Sequence, residues 1–166
     1  YKRQISPDGA VAWVGIDPDT GTRSLELGDA DGAWQRTLVE PGAVSDLGQP
    51  IFAPDGSAVW IVVLEDDEEE EIDTPSLSLI SDARAHDSHD EPGDWWAVPV
   101  DGGALTRLTW LSLVHYDGAA DPQTGALLSV TDLGLVQVQP DTGETDWLWT
   151  ARTLRAVDVA PLASED

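Results

Sequence analysis

The sequence predicts an all-β protein of short antiparallel strands, and three observations support this class. First, residues 50–63 place two apolar runs on either side of a Pro-Asp-Gly turn, in which proline presets one φ and glycine accepts the positive φ that follows. Second, the later run, residues 59–64, is apolar without alternation, as expected for a strand covered on both faces. Third, no segment combines helical periodicity with helix caps.

The hairpin belongs to an internal repeat. Residues 5–14 match residues 52–61 at an offset of 47, which aligns Trp13 with Trp60. We therefore expect both tryptophans to fill equivalent core positions. Two weaker copies of the repeat follow, at residues 115–130 and 156–161. The copy at 115–130 lacks the Asp-Gly turn in its usual place, and the copy at 156–161 contains only the start of the repeat.

Two further strands are expected after each hairpin. In the first repeat they fall at residues 23–28 and 34–39, separated by a turn. Four short strands per repeat, at a spacing of about 40 residues, are typical of the blades of a β-propeller. We predict an incomplete ring of about three four-stranded blades plus the start of a fourth. The expected blades cover about residues 1–46, 47–109 and 110–150, and the partial blade covers 151–166.

The repeat resembles a known family. Ser-Pro-Asp-Gly precedes an apolar strand, an aromatic-rich strand ends in Asp-Gly-Gly at residues 101–103, and a strand reads Leu-Thr-Arg-Leu-Thr at 105–109. This order looks like the repeat of TolB-type propellers, which also builds the propeller domains of dipeptidyl-peptidase-like serine peptidases. The resemblance covers almost the whole chain and implies the fold, but it implies little about function, because one fold serves many functions.

An acidic insertion, residues 65–93, interrupts the second blade. Residues 65–71 are all acidic, and adjacent like charges without partners are disfavoured in a sheet. We predict a solvated, partly disordered loop. Binding of a cation or of a basic partner stays open, because calcium prefers carboxylate oxygens, although the run lacks the ligand spacing and the glycine of a calcium loop.

The overall charge excludes two classes of partner. The chain has 32 acidic and 8 basic residues, a formal net charge of −24. Binding of nucleic acid or of an anionic membrane surface requires clustered Lys and Arg, so we predict neither partner. No apolar run approaches the roughly 18 residues that span a bilayer, and no membrane insertion is expected. The acidic surface serves solubility or, alternatively, adapts the protein to high salt, which screens self-repulsion.

Histidines offer one candidate metal site. Two imidazoles lie three residues apart among carboxylates, in the set His86, Asp87, His89 and Asp90, and zinc or another transition metal takes such ligands. A solvated loop is the alternative, since no helix aligns these residues. His115 lies in a predicted strand and is expected to be a hydrogen-bonded blade residue rather than a catalyst. The chain has no cysteine, and no cofactor is predicted.

Tryptophan pairs indicate a candidate interface. Strand alternation sends Trp95 and Trp96 to opposite faces and sends Trp147 and Trp149 to the same face. Tryptophan is enriched at protein–protein interfaces and in their energetic centres. We predict that one of these faces contacts a partner.

No catalytic motif is found. The chain contains neither a Gly-x-Ser-x-Gly nucleophile elbow nor a phosphate-binding Gly-x-x-x-x-Gly-Lys. We predict a non-catalytic propeller that serves as a protein-binding or assembly module, in the periplasm or outside the cell. The alternative is the propeller segment of a serine hydrolase or peptidase whose catalytic domain is absent from this chain.

The predicted ring is not closed. Propellers close with about four to eight blades, so three blades and one strand leave apolar faces open. Three arrangements would cover these apolar faces: a longer propeller of which this chain is a fragment, two copies in one ring, or a different protein on the open face. Because the chain has no methionine, even at position 1, we expect a processed or trimmed product.

Overall fold

The computed structural model describes residues 3–64 and 91–150, and these residues form twelve β-strands. Every pairing between the strands is antiparallel, so the prediction of an all-β fold is confirmed for the described residues. The strands are β1 (Arg3–Ile5), β2 (Ala10–Ile16), β3 (Arg23–Asp29), β4 (Gln35–Val39), β5 (Asp46–Phe52), β6 (Ala58–Leu64), β7 (Pro92–Pro99), β8 (Thr106–Arg107), β9 (Leu113–Ala120), β10 (Leu127–Thr131), β11 (Gly134–Val138) and β12 (Thr145–Thr150).

Consecutive strands form three meanders, which we name the first (β1–β4), the second (β5–β8) and the third (β9–β12). The first meander is a separate four-stranded sheet in the order β1-β2-β3-β4. The second and third meanders join in one sheet, because β7 pairs with β9 through Pro92 opposite Val114 and Gly93 opposite Leu113. Strand β8 pairs with the later half of β7.

The second meander is covered on both of its faces. On β6, Val59, Ile61 and Val63 belong to a core cluster shared with the first meander. The alternating residues of the same strand, including Trp60 and Val62, belong to a second cluster shared with the third meander. Burial of each such side chain contributes about 1.5–3 kcal/mol. The prediction that residues 59–64 form a strand buried on both faces is therefore confirmed.

The first two hairpins have loops of different length. In the first, five residues (6–10) separate Ile5 from its partner Val11. In the second, six residues (53–58) separate Phe52 from its partner Val59. A change of one residue in a hairpin loop sends every later side chain to the opposite face of the sheet. The second strands of the two hairpins, β2 and β6, are therefore related by an offset one residue larger than the offset of 47 in the sequence match.

This difference in loop length makes the predicted equivalence of Trp13 and Trp60 wrong. Trp60 is buried and faces the third meander. On β2, Ala12 faces the second meander, so its neighbour Trp13 projects from the opposite, outer face of the first meander. Trp13 is half-buried there because its ring lies across Gly28, whose missing Cβ would come within 3.1 Å of the ring.

A second kind of turn repeats along the chain. It has the pattern Pro-x-Thr-Gly and closes three hairpins, at residues 17–22, 121–126 and 139–144. In each copy the glycine N–H donates to the carbonyl four residues earlier, and the glycine has a φ of 72–75°, which favours this residue. The third meander therefore replaces the Pro-Asp-Gly turn of its first hairpin with a Pro-x-Thr-Gly turn.

Several predicted features lie outside the described residues. They are the acidic tract at 65–71, the histidine and aspartate set at 86–90, and the beginning of a fourth repeat at 156–161. Within residues 3–64 and 91–150 no helix is long and apolar enough to cross a membrane.

Candidate binding site

The first strand of each meander lines a common cavity of about 550 Å³, which we name the inner cavity. Strands β1, β5 and β9 each contribute one wall, and the turns that follow them contribute the rim. Most of the lining residues are apolar by type, but polar atoms make up the larger part of the exposed lining surface, and the polar side chains are two amides, one hydroxyl and one carboxylate. The lining residues are Gln4, Ile5, Ser6, Pro7, Gln49, Ile51, Phe52, Ala53, Pro54, Asp117, Gly118, Ala119, Ala120 and Pro122.

A β-bulge shapes one wall of the inner cavity. Leu47 pairs with Val63 and Pro50 pairs with Ile61, so two residues of β5, Gly48 and Gln49, stand opposite one residue of β6. Bulges bend a strand and redirect its side chains. Gly48 lies tightly against β6, where a Cβ would come within 3.0 Å of Val62 Cβ. The bulge allows Gln49 to reach the cavity.

Three aspartates border the rim, one from each meander. Asp8, Asp55 and Asp121 lie in the turns that follow β1, β5 and β9, next to lining residues. Local hydrogen bonds lower the pKa of all three carboxyls: from the Ser6 hydroxyl to Asp8, from the Ser57 N–H and hydroxyl to Asp55, and from the Thr124 hydroxyl and Gln123 N–H to Asp121. The rim is therefore negatively charged at neutral pH.

Asp117 is the only ionisable residue among the described residues that line the inner cavity. Its Oδ1 accepts the backbone N–H of Gly118 at 2.9 Å, which holds the carboxylate close to strand β9. An ionised carboxylate accepts about four hydrogen bonds, so this contact leaves capacity for a ligand.

Trp95 lies in the core, with 1% of its surface exposed, so the interface prediction is wrong for this residue. The predicted orientation is correct, because Trp95 pairs with Val62 on the face toward the third meander and Trp96 pairs with Ile61 on the other face. Trp96 is half-buried and packs against the core shared with the first meander. The predicted alternation of side chains along the strand is therefore correct, but both tryptophans pack against other strands because the second meander is covered on both faces.

A closed hydrogen-bond network surrounds the Trp95 indole. Its Nε1–H contacts Ser129 Oγ at 2.9 Å and His115 Nδ1 at 3.1 Å. Ser129 Oγ and His115 Nδ1 lie 2.8 Å apart, and His115 Nε2 lies 3.1 Å from the Gly93 carbonyl. Because a carbonyl only accepts, Nε2 carries the proton and Nδ1 accepts. The prediction of a hydrogen-bonded His115 in a strand is confirmed.

Burial governs the chemistry of the Ser129 and His115 pair. Desolvation lowers the pKa of His115 from 6.5 to about 4, although the Gly93 carbonyl and the charges of Asp94 and Asp132 favour the protonated form. Ser129 has no exposed surface. The pair has the distance of a nucleophile and its base, but substrate has no access to the hydroxyl, and the imidazole stays neutral as part of the core.

A buried carboxylate fixes the loop between the second and third meanders. Asp94 is 1% exposed and accepts hydrogen bonds from Arg107, from the Thr109 hydroxyl at 2.6 Å and from the Leu111 N–H at 2.6 Å. The Arg107 guanidinium also lies 5.6 Å from the centre of the Trp110 ring, within cation–π range. This network explains the Arg and the last Thr of the Leu-Thr-Arg-Leu-Thr strand.

Exposed aromatic residues are concentrated at the outer edge of the third meander. Strand β12 ends its sheet and is exposed along almost its whole length. Trp110 precedes β9 and lies beside the turn into β12, where a Cβ on Gly143 would be 3.8 Å from its ring. We name this surface the aromatic edge. Its members and their exposed fractions are Trp110 (71%), Trp147 (40%), Leu148 (51%) and Trp149 (54%).

A bulge separates the two tryptophans of β12. Trp149 pairs with Leu135 and Trp147 pairs with Val136, and these consecutive residues of β11 project from opposite faces. Leu148 is the extra residue of the bulge. The prediction that Trp147 and Trp149 share a face is therefore wrong, and the aromatic edge presents one indole on each side of the sheet.

The predicted metal site is not part of the described structure. His86, Asp87, His89 and Asp90 lie outside residues 3–64 and 91–150, and their role as metal ligands stays a prediction. Among the described residues no three His, Asp or Glu side chains are placed to hold a metal ion together.

Comparisons with known proteins identify the fold. No family model matches the sequence, and no curated protein matches it. Solved structures do match. TolB from Acinetobacter baumannii superposes with a TM-score of 0.60 at 15% identity, over 92% of this chain and 33% of its own. A TolB-type protein from Agrobacterium tumefaciens superposes with a TM-score of 0.64 at 17% identity, over 94% of this chain and 52% of its own. Puromycin hydrolase superposes with a TM-score of 0.59 at 19% identity, over 89% of this chain and 22% of its own.

These similarities define a class of protein, the β-propellers. The resemblance to TolB-type propellers and to the propeller domains of peptidases is confirmed at the level of the fold. This chain spans about a third to a half of the two TolB-type structures. At these identities the comparison shows architecture, and function has to be argued from the surfaces of this chain.

Proposed function

We propose that this chain is a non-catalytic propeller module that binds protein through its aromatic edge. The observation that supports this proposal is the exposure of strand β12. Trp147 and Trp149 project from its two faces, and β12 has no strand beyond it in the described sheet. Clustered exposed tryptophans are uncommon on monomeric surfaces and enriched at interfaces. An edge strand also offers unpaired backbone groups to a partner.

We further propose that the three meanders are three blades of an incomplete ring, followed by the start of a fourth blade. The outer face of the first meander carries the half-buried Trp13, and the outer side of the third carries Trp149 with Leu135. A second copy, further blades of a longer protein or a different subunit would cover these faces. The likeness to TolB supports a location in the periplasm or outside the cell.

Light scattering behind size exclusion tests association. We expect the isolated chain, of 17.8 kDa, to self-associate at micromolar concentration, because the aromatic edge favours burial. The double variant Trp147→Ser/Trp149→Ser should shift the mass to the monomer. Trp34→Ser is the matched control, because Trp34 is 43% exposed on the first meander. A wild type that is monomeric throughout, or an equal effect of the control, would contradict self-association through the aromatic edge.

A propeller segment of a serine hydrolase is the second candidate, and the similarity to puromycin hydrolase supports it. In that case the catalytic residues lie on a separate domain. The coding sequence on either side of this chain distinguishes the two proposals. An α/β domain with a Gly-x-Ser-x-Gly elbow in the same protein would favour the hydrolase and overturn the module.

A further inference from the structure

We propose that the inner cavity binds an extended peptide segment with a basic side chain, and that the Asp117 carboxylate is the counter-charge for that side chain. This site is separate from the aromatic edge, and its ligand goes beyond the general protein binding proposed above. Three properties of the cavity support the inference: strand edges without a neighbour in the described sheets, apolar side chains such as Ile5 exposed beside these edges, and a concentrated negative charge.

The strand edges favour a peptide over a small molecule. In the described sheets β1 pairs only with β2 and β5 pairs only with β6, so each has one edge without a neighbouring strand. Both of these strands line the inner cavity. Backbone groups along such edges recognise an extended chain by adding it as a strand. The cavity volume, about 550 Å³, is within the range of ligand sites and accommodates a few residues.

The lining provides apolar contact beside these edges. Ile5 is 69% exposed although it is a large hydrophobic residue in a strand that lines the cavity. Ala119 and Ala120 line the opposite wall, and Pro7, Pro54 and Pro122 line the rim. A peptide with aliphatic side chains next to its basic residue would cover this surface, and the burial would add to its affinity.

The charge distribution selects a cation. Asp117 is the only ionisable residue among the described lining residues, and Asp8, Asp55 and Asp121 border the rim. No Lys or Arg belongs to the described lining, so an anionic ligand would have no ionic partner there. The formal net charge of −24 raises the local concentration of cations further. A guanidinium suits this site best, because its planar fork pairs with carboxylates.

Isothermal titration with a defined peptide tests the proposal on the full chain. The probe is acetyl-Ala-Val-Arg-Val-Ala-amide, and the neutral control peptide has Gln in place of Arg. The test variant is Asp117→Asn, whose amide oxygen retains the hydrogen bond to Gly118. The matched control is Asp31→Asn, which removes the same charge from an exposed turn that does not line the cavity.

We expect the Arg peptide to bind the wild type at least tenfold more tightly than the Gln peptide. Asp117→Asn should remove this preference, Asp31→Asn should retain it, and added salt should weaken binding of the Arg peptide. Equal affinity of the two peptides, no binding of either, or equal behaviour of the two variants would overturn the proposal. If Asp117→Asn fails to fold, equal affinity of the two peptides for the wild type still overturns the proposal.

The aromatic edge provides an independent arm of the experiment. The variant Trp147→Ser/Trp149→Ser should bind the Arg peptide as the wild type does, because neither tryptophan lines the inner cavity. Loss of binding in this variant would place the peptide at the aromatic edge and overturn the cavity proposal. If the chain is monomeric but discriminates between the peptides through Asp117, the cavity proposal stands and self-association through the aromatic edge fails.

Discussion

The Trp95 indole N–H donates a 2.9 Å hydrogen bond to Ser129 Oγ across the boundary between the second and third meanders. Trp95 therefore joins the two units by a specific polar contact in addition to its apolar area. His115 completes the arrangement, since its Nδ1 also lies 3.1 Å from the indole nitrogen. Buried polar groups of this kind stabilise a structure only when every member has a partner.

We expect the stability of the chain to depend on His115 between about pH 6.5 and pH 4. Burial lowers the pKa of His115 to about 4 in the folded state, so the unfolded state binds more protons in this window. Stability should fall as the pH falls from 6.5 to 4, by up to about 3 kcal/mol from this group.

Urea unfolding at several pH values measures this dependence. The variant His115→Gln removes the titrating group and retains a donor for the Gly93 carbonyl. Its free energy of unfolding should change less than that of the wild type between pH 6.5 and pH 4. Parallel curves for the two proteins would show that His115 is not the group responsible.

Gly118 should not tolerate a larger side chain. A Cβ at this position would lie 2.6 Å from Ile51 Cδ1 and 2.9 Å from Trp95 Cζ2. We expect Gly118→Ala to destabilise the chain by about 1–3 kcal/mol through overpacking.

A double variant tests the geometry of this contact. Ile51→Val removes Cδ1, so Gly118→Ala/Ile51→Val should be more stable than the sum of the two single effects predicts. Chemical denaturation of the four proteins gives the coupling. Simple additivity would contradict the close approach of Gly118 to Ile51.

Arg107 should be important for stability because it is an ionic partner of a buried carboxylate. Asp94 is 1% exposed and pairs with Arg107, which is itself partly exposed. We expect Arg107→Leu to destabilise the chain by about 3 kcal/mol, since it leaves Asp94 without this cation. Thermal unfolding compares it with Arg36→Leu, which removes an exposed arginine of β4. A loss of stability in the control as large as in Arg107→Leu would argue against this role.

The sequence was most informative where the signal was local. The Pro-Asp-Gly turns and the unbroken apolar run at residues 59–64 correctly indicated hairpins and a strand covered on both faces, because turn chemistry and side-chain period act over a few residues. One local signal was missed. The Pro-x-Thr-Gly pattern is visible three times in the sequence and would have located the turn between β9 and β10, in the first hairpin of the third meander.

The sequence by itself therefore determined the strands, their antiparallel order and the propeller class. The tertiary structure decided which surfaces are free. One extra loop residue placed Trp13 and Trp60 on opposite faces, and a bulge separated Trp147 from Trp149. The burial of Trp95 depends on a neighbouring meander, and the inner cavity depends on three strands far apart in the chain. These properties arise from register and from contacts between distant segments, which no local pattern encodes.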